Sequence, residues 1–200
     1  MKFSTVVALV LPIAIGFGSP ATAENSADLR RLLETKQCQG CDLRGANLQG
    51  ADLSEANLQS ADLSEAILTG ANLFRANLSD TKLVNAHLRD ANLFEANLWK
   101  ANLSNVRLDN ANLSFSELCE ADLTGANLTG ANLGMADLRE ANFSQSNLSM
   151  ANLAGANLNG VQLDEANLAG ANLNGAIVDD GSAIEATVME WTDPARSLLR

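Results

Sequence analysis

The chain has no tyrosine, a single histidine, three cysteines and three prolines, and aromatic residues make up only 4% of its 200 residues. So few large rings exclude an ordinary globular core, which interlocks varied bulky side chains. Basic groups are scarce as well: 13 Lys and Arg stand against 24 Asp and Glu, for a formal net charge of −11. Binding nucleic acid through its phosphates needs the opposite sign, so no nucleic-acid partner is expected. The longest apolar run, Val6 to Phe17, is interrupted by Pro12 and falls short of the ~20 residues that span a bilayer. What the chain does have is Ala and Leu. They dominate an apolar fraction of 46% and recur with a regularity that argues against disorder.

The apolar run has the form of a leader. Lys2 precedes it, and Ala21-Thr22-Ala23 follows as a small-x-small cleavage site, so Glu24 would open the mature chain. No Arg pair precedes the run, which favours a Sec-type route over twin-arginine export. The rival reading is an N-terminal anchor. No second apolar span follows, so a cleaved chain would carry no membrane span and a net charge of −12.

One period covers the middle of the chain. From Leu43, steps of five reach Leu48 and so on to Val178, giving 28 centres, of which only Phe143 and Val178 are not Leu. Two residues before the centre stands Ala in 22 repeats, and one residue before it stands Asn in 16 and Asp in 5. The unit reads A-(N/D)-L-x-x, as in Ala46-Asn47-Leu48-Gln49-Gly50.

A helix cannot use this pattern, because five residues at ~100° each spread the Leu set around the whole surface. A straight strand cannot use it either, because an odd period sends alternate Leu to opposite faces. Within one repeat, however, Ala and Leu lie on the same side of an extended segment. A corner after each repeat would aim every Ala and Leu at one axis, and four sides would close a coil of about 20 residues. Gly at the second position after the centre, in nine repeats, suits corners that need a positive φ.

These repeats resemble the pentapeptide-repeat proteins over 138 residues. The resemblance implies an all-β solenoid, a right-handed quadrilateral β-helix of about seven coils over residues 38–178. At ~4.8 Å per coil the rod would be roughly 33 Å long. Val106 and Val161 overfill Ala slots and Phe143 a Leu slot, so local bulges are expected there.

Both flanks suggest caps against end-to-end growth. Residues 24–37 read as a helix capped by Asn25 or Ser26, with Leu29, Leu32 and Leu33 on its apolar side. Residues 179–200 read as a C-terminal cap. There Ile184, Val188 and Trp191 are spaced for one face, and Asp193-Pro194 opens a short helix.

Cys38 and Cys41 both fall on inward positions where helix meets coil. In an exported chain a disulfide is the preferred reading, with free thiols, a redox pair or a metal site as alternatives. A thioredoxin-like role lacks its βαβ context, and zinc would need two further ligands. Cys119 should be exposed, and His87 is an outward polar residue. The Asn and Asp rows look like ligand rows, but most members lack the charge of a strong Ca²⁺ site, and their recurrence fits a structural role. No catalytic set, metal site or cofactor is expected.

Residues 20 apart stack on one face. Phe74, Phe94, Phe115 and Met135 share one zone, and Trp99 lies on the adjacent face with Cys119 above it. This is the candidate docking patch for an unknown protein partner, the competing reading being a stack that only stabilises neighbouring coils. The resemblance also raises a DNA mimic acting on DNA gyrase. Residues 38–178 carry 7 basic and 16 acidic groups, about half the charge density of DNA, and a leader would direct the chain away from gyrase. The function expected is therefore a non-enzymatic scaffold or interaction protein, monomeric or weakly dimeric. Its compartment would be the periplasm or thylakoid lumen, as in similar cyanobacterial proteins.

Overall fold

The computed structural model describes residues 23–178. The leader upstream of Ala23 and the C-terminal cap reading, with Ile184, Val188, Trp191 and Pro194, lie outside the described residues. The chain opens with α1 (Ala23–Thr35), so Asn25 and Ser26 lie inside the helix rather than before it. Lys36 ends α1 with φ 56° and donates its N–H to the Leu32 carbonyl at 2.8 Å. Leu32 is fully buried and Leu29 packs beside it, but Leu33 is exposed. The helix meets the solenoid along one line of side chains, and Leu33 falls outside it.

From residue 37 onward the backbone pairs with itself at a fixed offset of 20 in parallel register, as in Asp42 with Asp62 and Asp62 with Lys82. Four repeats therefore make one turn of the solenoid. We number the faces by their centres: face I runs through Leu43 and Leu63, face II through Leu48 and Leu68, face III through Leu53 and Leu73, and face IV through Leu58 and Leu78. The centres and the Ala residues before them form one continuous buried core. At ~25 cal/mol per Å² of apolar surface, each buried Leu contributes about 2 kcal/mol before conformational entropy is subtracted.

Each repeat ends in a four-residue turn. Ala46 N–H donates to the Leu43 carbonyl at 3.0 Å, and the third turn residue, Gly45, has φ +64°. That geometry is a type II turn. All 28 corners from residue 40 to residue 175 are left-handed, and 18 of them carry a residue other than Gly. The nine glycines visible in the repeat thus mark a rule that every corner obeys.

The remaining amides explain how the corners persist. In a typical repeat such as Asn92–Glu95, the Asn92 N–H donates down to Ala71 and the Leu93 N–H up to Asn112. The Glu95 N–H donates up to Ser114. The Phe94 N–H, left over, is taken by Asn92 Oδ1. All 21 Asn and Asp residues at this position do the same, at 2.9–3.3 Å. The bond needs only a carbonyl-type oxygen two residues back, which is why Asn and Asp interchange.

On face III the same side chains also join coil to coil. Nδ2 of Asn72 donates to Asp52, Asn92 to Asn72, Asn112 to Asn92, Asn132 to Asn112, Asn152 to Asn132 and Asn172 to Asn152, at 2.9–3.4 Å. Of the three polar residues in Ala slots, two are absorbed as well, while the Ser146 hydroxyl is buried without a hydrogen-bond partner. Thr81 Oγ1 donates to the Leu78 carbonyl and Ser116 Oγ to that of Leu113.

The bulges expected at Val106 and Phe143 do not form. Val106 is 0% and Phe143 1% exposed, and the ladder runs past both, with Val106 N–H to Leu103 at 3.1 Å and Phe143 N–H to Gln162 at 2.8 Å. Val161 is only partly buried, yet its N–H still reaches Leu158 at 3.1 Å. Overfilling costs about 1–3 kcal/mol. Several backbone bonds in each repeat, each worth ~1 kcal/mol, outweigh it and hold the main chain in register.

Candidate functional site

The aromatic column sits on the corner between faces III and IV. Phe74 and Phe94 are half-buried and stack with centroids 6.0 Å apart and planes 14° apart. Phe115 continues the column at 5.5 Å from Phe94, tilted by 51°. The Arg75 guanidinium covers the Phe74 ring at 5.0 Å. Stacking therefore occupies much of Phe74 and Phe94, while Phe115 and Met135 remain 52% and 57% exposed. Trp99, across face IV, is exposed with Lys100 Nζ 4.3 Å from its ring centroid.

A shallow groove of about 500 Å³ runs up face III above Phe115. Phe115, Gly134, Met135 and Ala154 line it together with Asn132 and Asn152 of the ladder. Met135 leans over the next coil, where Gly155 leaves room: a Cβ there would run into Met135 Sδ. Met150, on the opposite edge of face III, is the most exposed large apolar side chain described, and it lies outside the column expected from the sequence. It too lies against a glycine, Gly170. Its position, second after a centre, was the available signal.

On face IV a cleft of about 350 Å³ opens beside Trp99, lined by Glu117, Cys119, Glu120, Asp137, Arg139 and Glu140. Arg139 grips Asp137 with both a 2.8 Å and a 2.7 Å bond and holds its carboxyl below the usual range. Lys100 pairs with Glu120 at 3.2 Å. Cys119 was expected on the surface, but it is half-buried; burial first, and then the neighbouring Asp137 carboxylate, push its thiol up. Such a thiol is a poor nucleophile.

At the other end of the rod Cys38 and Cys41 are joined in a disulfide, both buried. Asp28 of α1 accepts the Asp42 N–H, and Arg31 reaches Cys41 Sγ at 2.6 Å. The Asn and Asp rows, which resemble ligand rows in the sequence, spend their oxygens on the corners, and no metal-holding group of His, Cys, Asp or Glu occurs among the described residues. No described helix is long and apolar enough to cross a membrane. His87 is exposed.

Comparison with known proteins agrees with this architecture. The Pentapeptide repeats family profile matches residues 37–73, 71–110, 107–145 and 146–180, in eight copies. A search of curated proteins found no match. Among solved structures, HetL, a pentapeptide repeat protein involved in heterocyst differentiation regulation from the cyanobacterium Nostoc sp. strain PCC 7120, is 37% identical. The alignment covers 74% of this chain and 76% of HetL, with a TM-score of 0.47. Rfr23, from the cyanobacterium Cyanothece 51142, is 29% identical over 80% of this chain and 99% of its own, at a TM-score of 0.40. QnrB1, a plasmid-mediated fluoroquinolone resistance protein, is 16% identical over 74% and 83%, at 0.41. The family folds as right-handed quadrilateral β-helices and is generally non-catalytic. The chain belongs to the pentapeptide-repeat family.

Proposed function

We propose that this chain is a non-enzymatic scaffold whose rod surface docks a protein partner in an exported compartment, the periplasm or thylakoid lumen. The observation that carries the reading is the grouping of Trp99, Phe115 and Met135, all well exposed, on and beside face IV. Contiguous exposed apolar surface on a soluble protein usually marks an interface. Phe74 and Phe94 extend the patch and support it by stacking. The rod comprises seven coils, with α1 shielding its first end. It acts as a monomer or weak dimer after cleavage between Ala23 and Glu24.

The test compares capture of partners from the native compartment by the mature chain and by a Trp99→Ser, Phe115→Ser, Met135→Ser variant. Loss of a specific partner with an unchanged melting curve is expected. Identical capture and identical oligomeric state would remove the reading. Export is tested separately by the N-terminal residue of the protein isolated from its host, which should be Glu24.

A second reading, a DNA mimic acting on DNA gyrase, is favoured by the acidic balance of the rod, 16 acidic to 7 basic groups over residues 38–178. Inhibition of supercoiling by the mature chain at low concentration would establish it.

A further inference from the structure

Face IV gathers acidic side chains beside Trp99. Elsewhere the position before the centre is mostly Asn or Asp, whose oxygen closes the corner. At Glu117 the longer side chain forgoes that bond, and it stacks directly beneath Asp137, its bridge partner one coil up. One corner further on, Glu120 stands beneath Glu140 at the same offset of 20. Like charges opposite one another in adjacent strands are destabilising. On the face III corner, by contrast, Arg75 pairs with Glu95.

The cleft's own cations do not neutralise these stacks. Arg139 is engaged by Asp137 and Lys100 by Glu120. Glu117 and Glu140 are exposed, and neither has an ion pair among the described residues. Stacked carboxylates that lack an internal cation are relieved by a cation that a partner supplies. The cleft also shows which chemistry it accommodates. A lysine already lies over the Trp99 ring and an arginine forks onto a carboxylate, while 39% of Trp99 stays open.

From this geometry we infer that the face IV cleft takes a basic amphipathic segment of a protein partner. An Arg or Lys of the segment pairs with Glu117 and Glu140, and an apolar residue packs on Trp99. Charge complementarity identifies the occupant: four carboxylates and two committed cations leave the cleft negative, and the aromatic wall favours cations and apolar groups alike. The inference rests on the docking reading above and adds the partner's chemistry.

The probe is a synthetic Arg/Leu peptide titrated into the mature chain carrying Trp191→Phe, so that the fluorescence reports Trp99. A Glu/Leu peptide of equal length serves as control. Saturable quenching by the Arg/Leu peptide alone, weakening with added salt, is expected. Glu117→Gln with Glu140→Gln should weaken binding roughly three- to tenfold, as two exposed ion pairs would, with the melting curve retained. Equal binding of both peptides, no saturable binding, or an unchanged affinity in the double Gln variant would overturn the inference. If the double Gln variant still loses its native partner only on Trp99→Ser, Phe115→Ser, Met135→Ser substitution, the docking reading survives and only the charge assignment fails.

Discussion

Asp28 Oδ2 accepts the backbone N–H of Asp42 at 2.9 Å. One coil up, the equivalent amide of Asp62 goes to the Cys41 carbonyl at 2.8 Å. The Asp28 side chain thus stands where a preceding coil's carbonyl would, and Arg31 steadies it at 3.2 Å. Asp28→Ala should cost about 1–2 kcal/mol and speed hydrogen exchange at Asp42, because the amide loses its acceptor. Asp28→Asn should recover most of both. Exchange rates at Asp42 and Asp62, measured together, separate a local effect from global loosening.

Reducing the Cys38–Cys41 disulfide should act on the same end of the rod. Loop closure over so short a span is worth about 2 kcal/mol. Melting with and without reductant should show a drop of that order, abolished in a Cys38→Ser, Cys41→Ser variant. An undiminished melting temperature would show that the bridge adds no stability.

Corner closure by side-chain oxygen predicts an asymmetry at Asn97, whose Oδ1 accepts the Trp99 N–H at 2.9 Å. Asn97→Asp keeps the acceptor and should be close to neutral. Asn97→Ala removes it and should cost about 1 kcal/mol. Chemical denaturation of the three proteins checks this, and equal losses for Asp and Ala would refute the role assigned to the oxygen.

Met135 and Gly155 form a testable pair. Gly155→Ala puts a methyl where Met135 Sδ now lies, at a corner with φ +68°; the exposed Met135 side chain swings aside at small cost, so the loss should be about 1 kcal/mol, most of it backbone strain. In a Met135→Ala background that displacement is unnecessary and only the strain remains. A double-mutant cycle should therefore show weak favourable coupling of the two substitutions; strong coupling would mean that Met135 is pinned to that corner.

Acid should weaken the first coils. The bond from Arg44 holds Asp42 down to about 2, and bonds from Ser54, with Lys36 beyond them, hold Asp52 down to about 2, against an ordinary value of 3.8. Because the folded-state values are depressed, these carboxylates stabilise the fold above about pH 4. That contribution is lost as pH falls from there toward 2. The melting temperature should be level from neutral pH to about 5 and then decline. Asp42→Asn with Asp52→Asn, which keeps both corner oxygens, should make the decline shallower.

The inward residues and the 20-residue turn were legible in the repeat because an odd period with two same-side apolar positions admits little else. The left-handed corners were legible only where Gly stood. At Glu55, Asn110 or Met150 the side chain carries no mark of the backbone it sits on. The Asn rows were ambiguous because an Oδ1 that closes a corner and one that ligates an ion are the same atom type. Spacing alone put Phe74, Phe94 and Phe115 in one column, but side-chain rotation decides that the first two stack face to face while the third stays open. Cys119 was misread for a similar reason: its position points outward, and the taller neighbours Trp99 and Arg139 decide how much of it water reaches.

The turn of 20 residues made from units of five has a consequence for how such a rod can change length. Removing one unit would preserve every corner and every inward Leu, yet rotate everything beyond it by a quarter turn. The Asn ladder of face III would then abut a different row, and the halves of the face IV cleft would part company. Removing four units together would shorten the rod by one storey and leave each column continuous. Fold and surface therefore tolerate insertions and deletions on two different grids, and a docking surface that spans several coils inherits the coarser one.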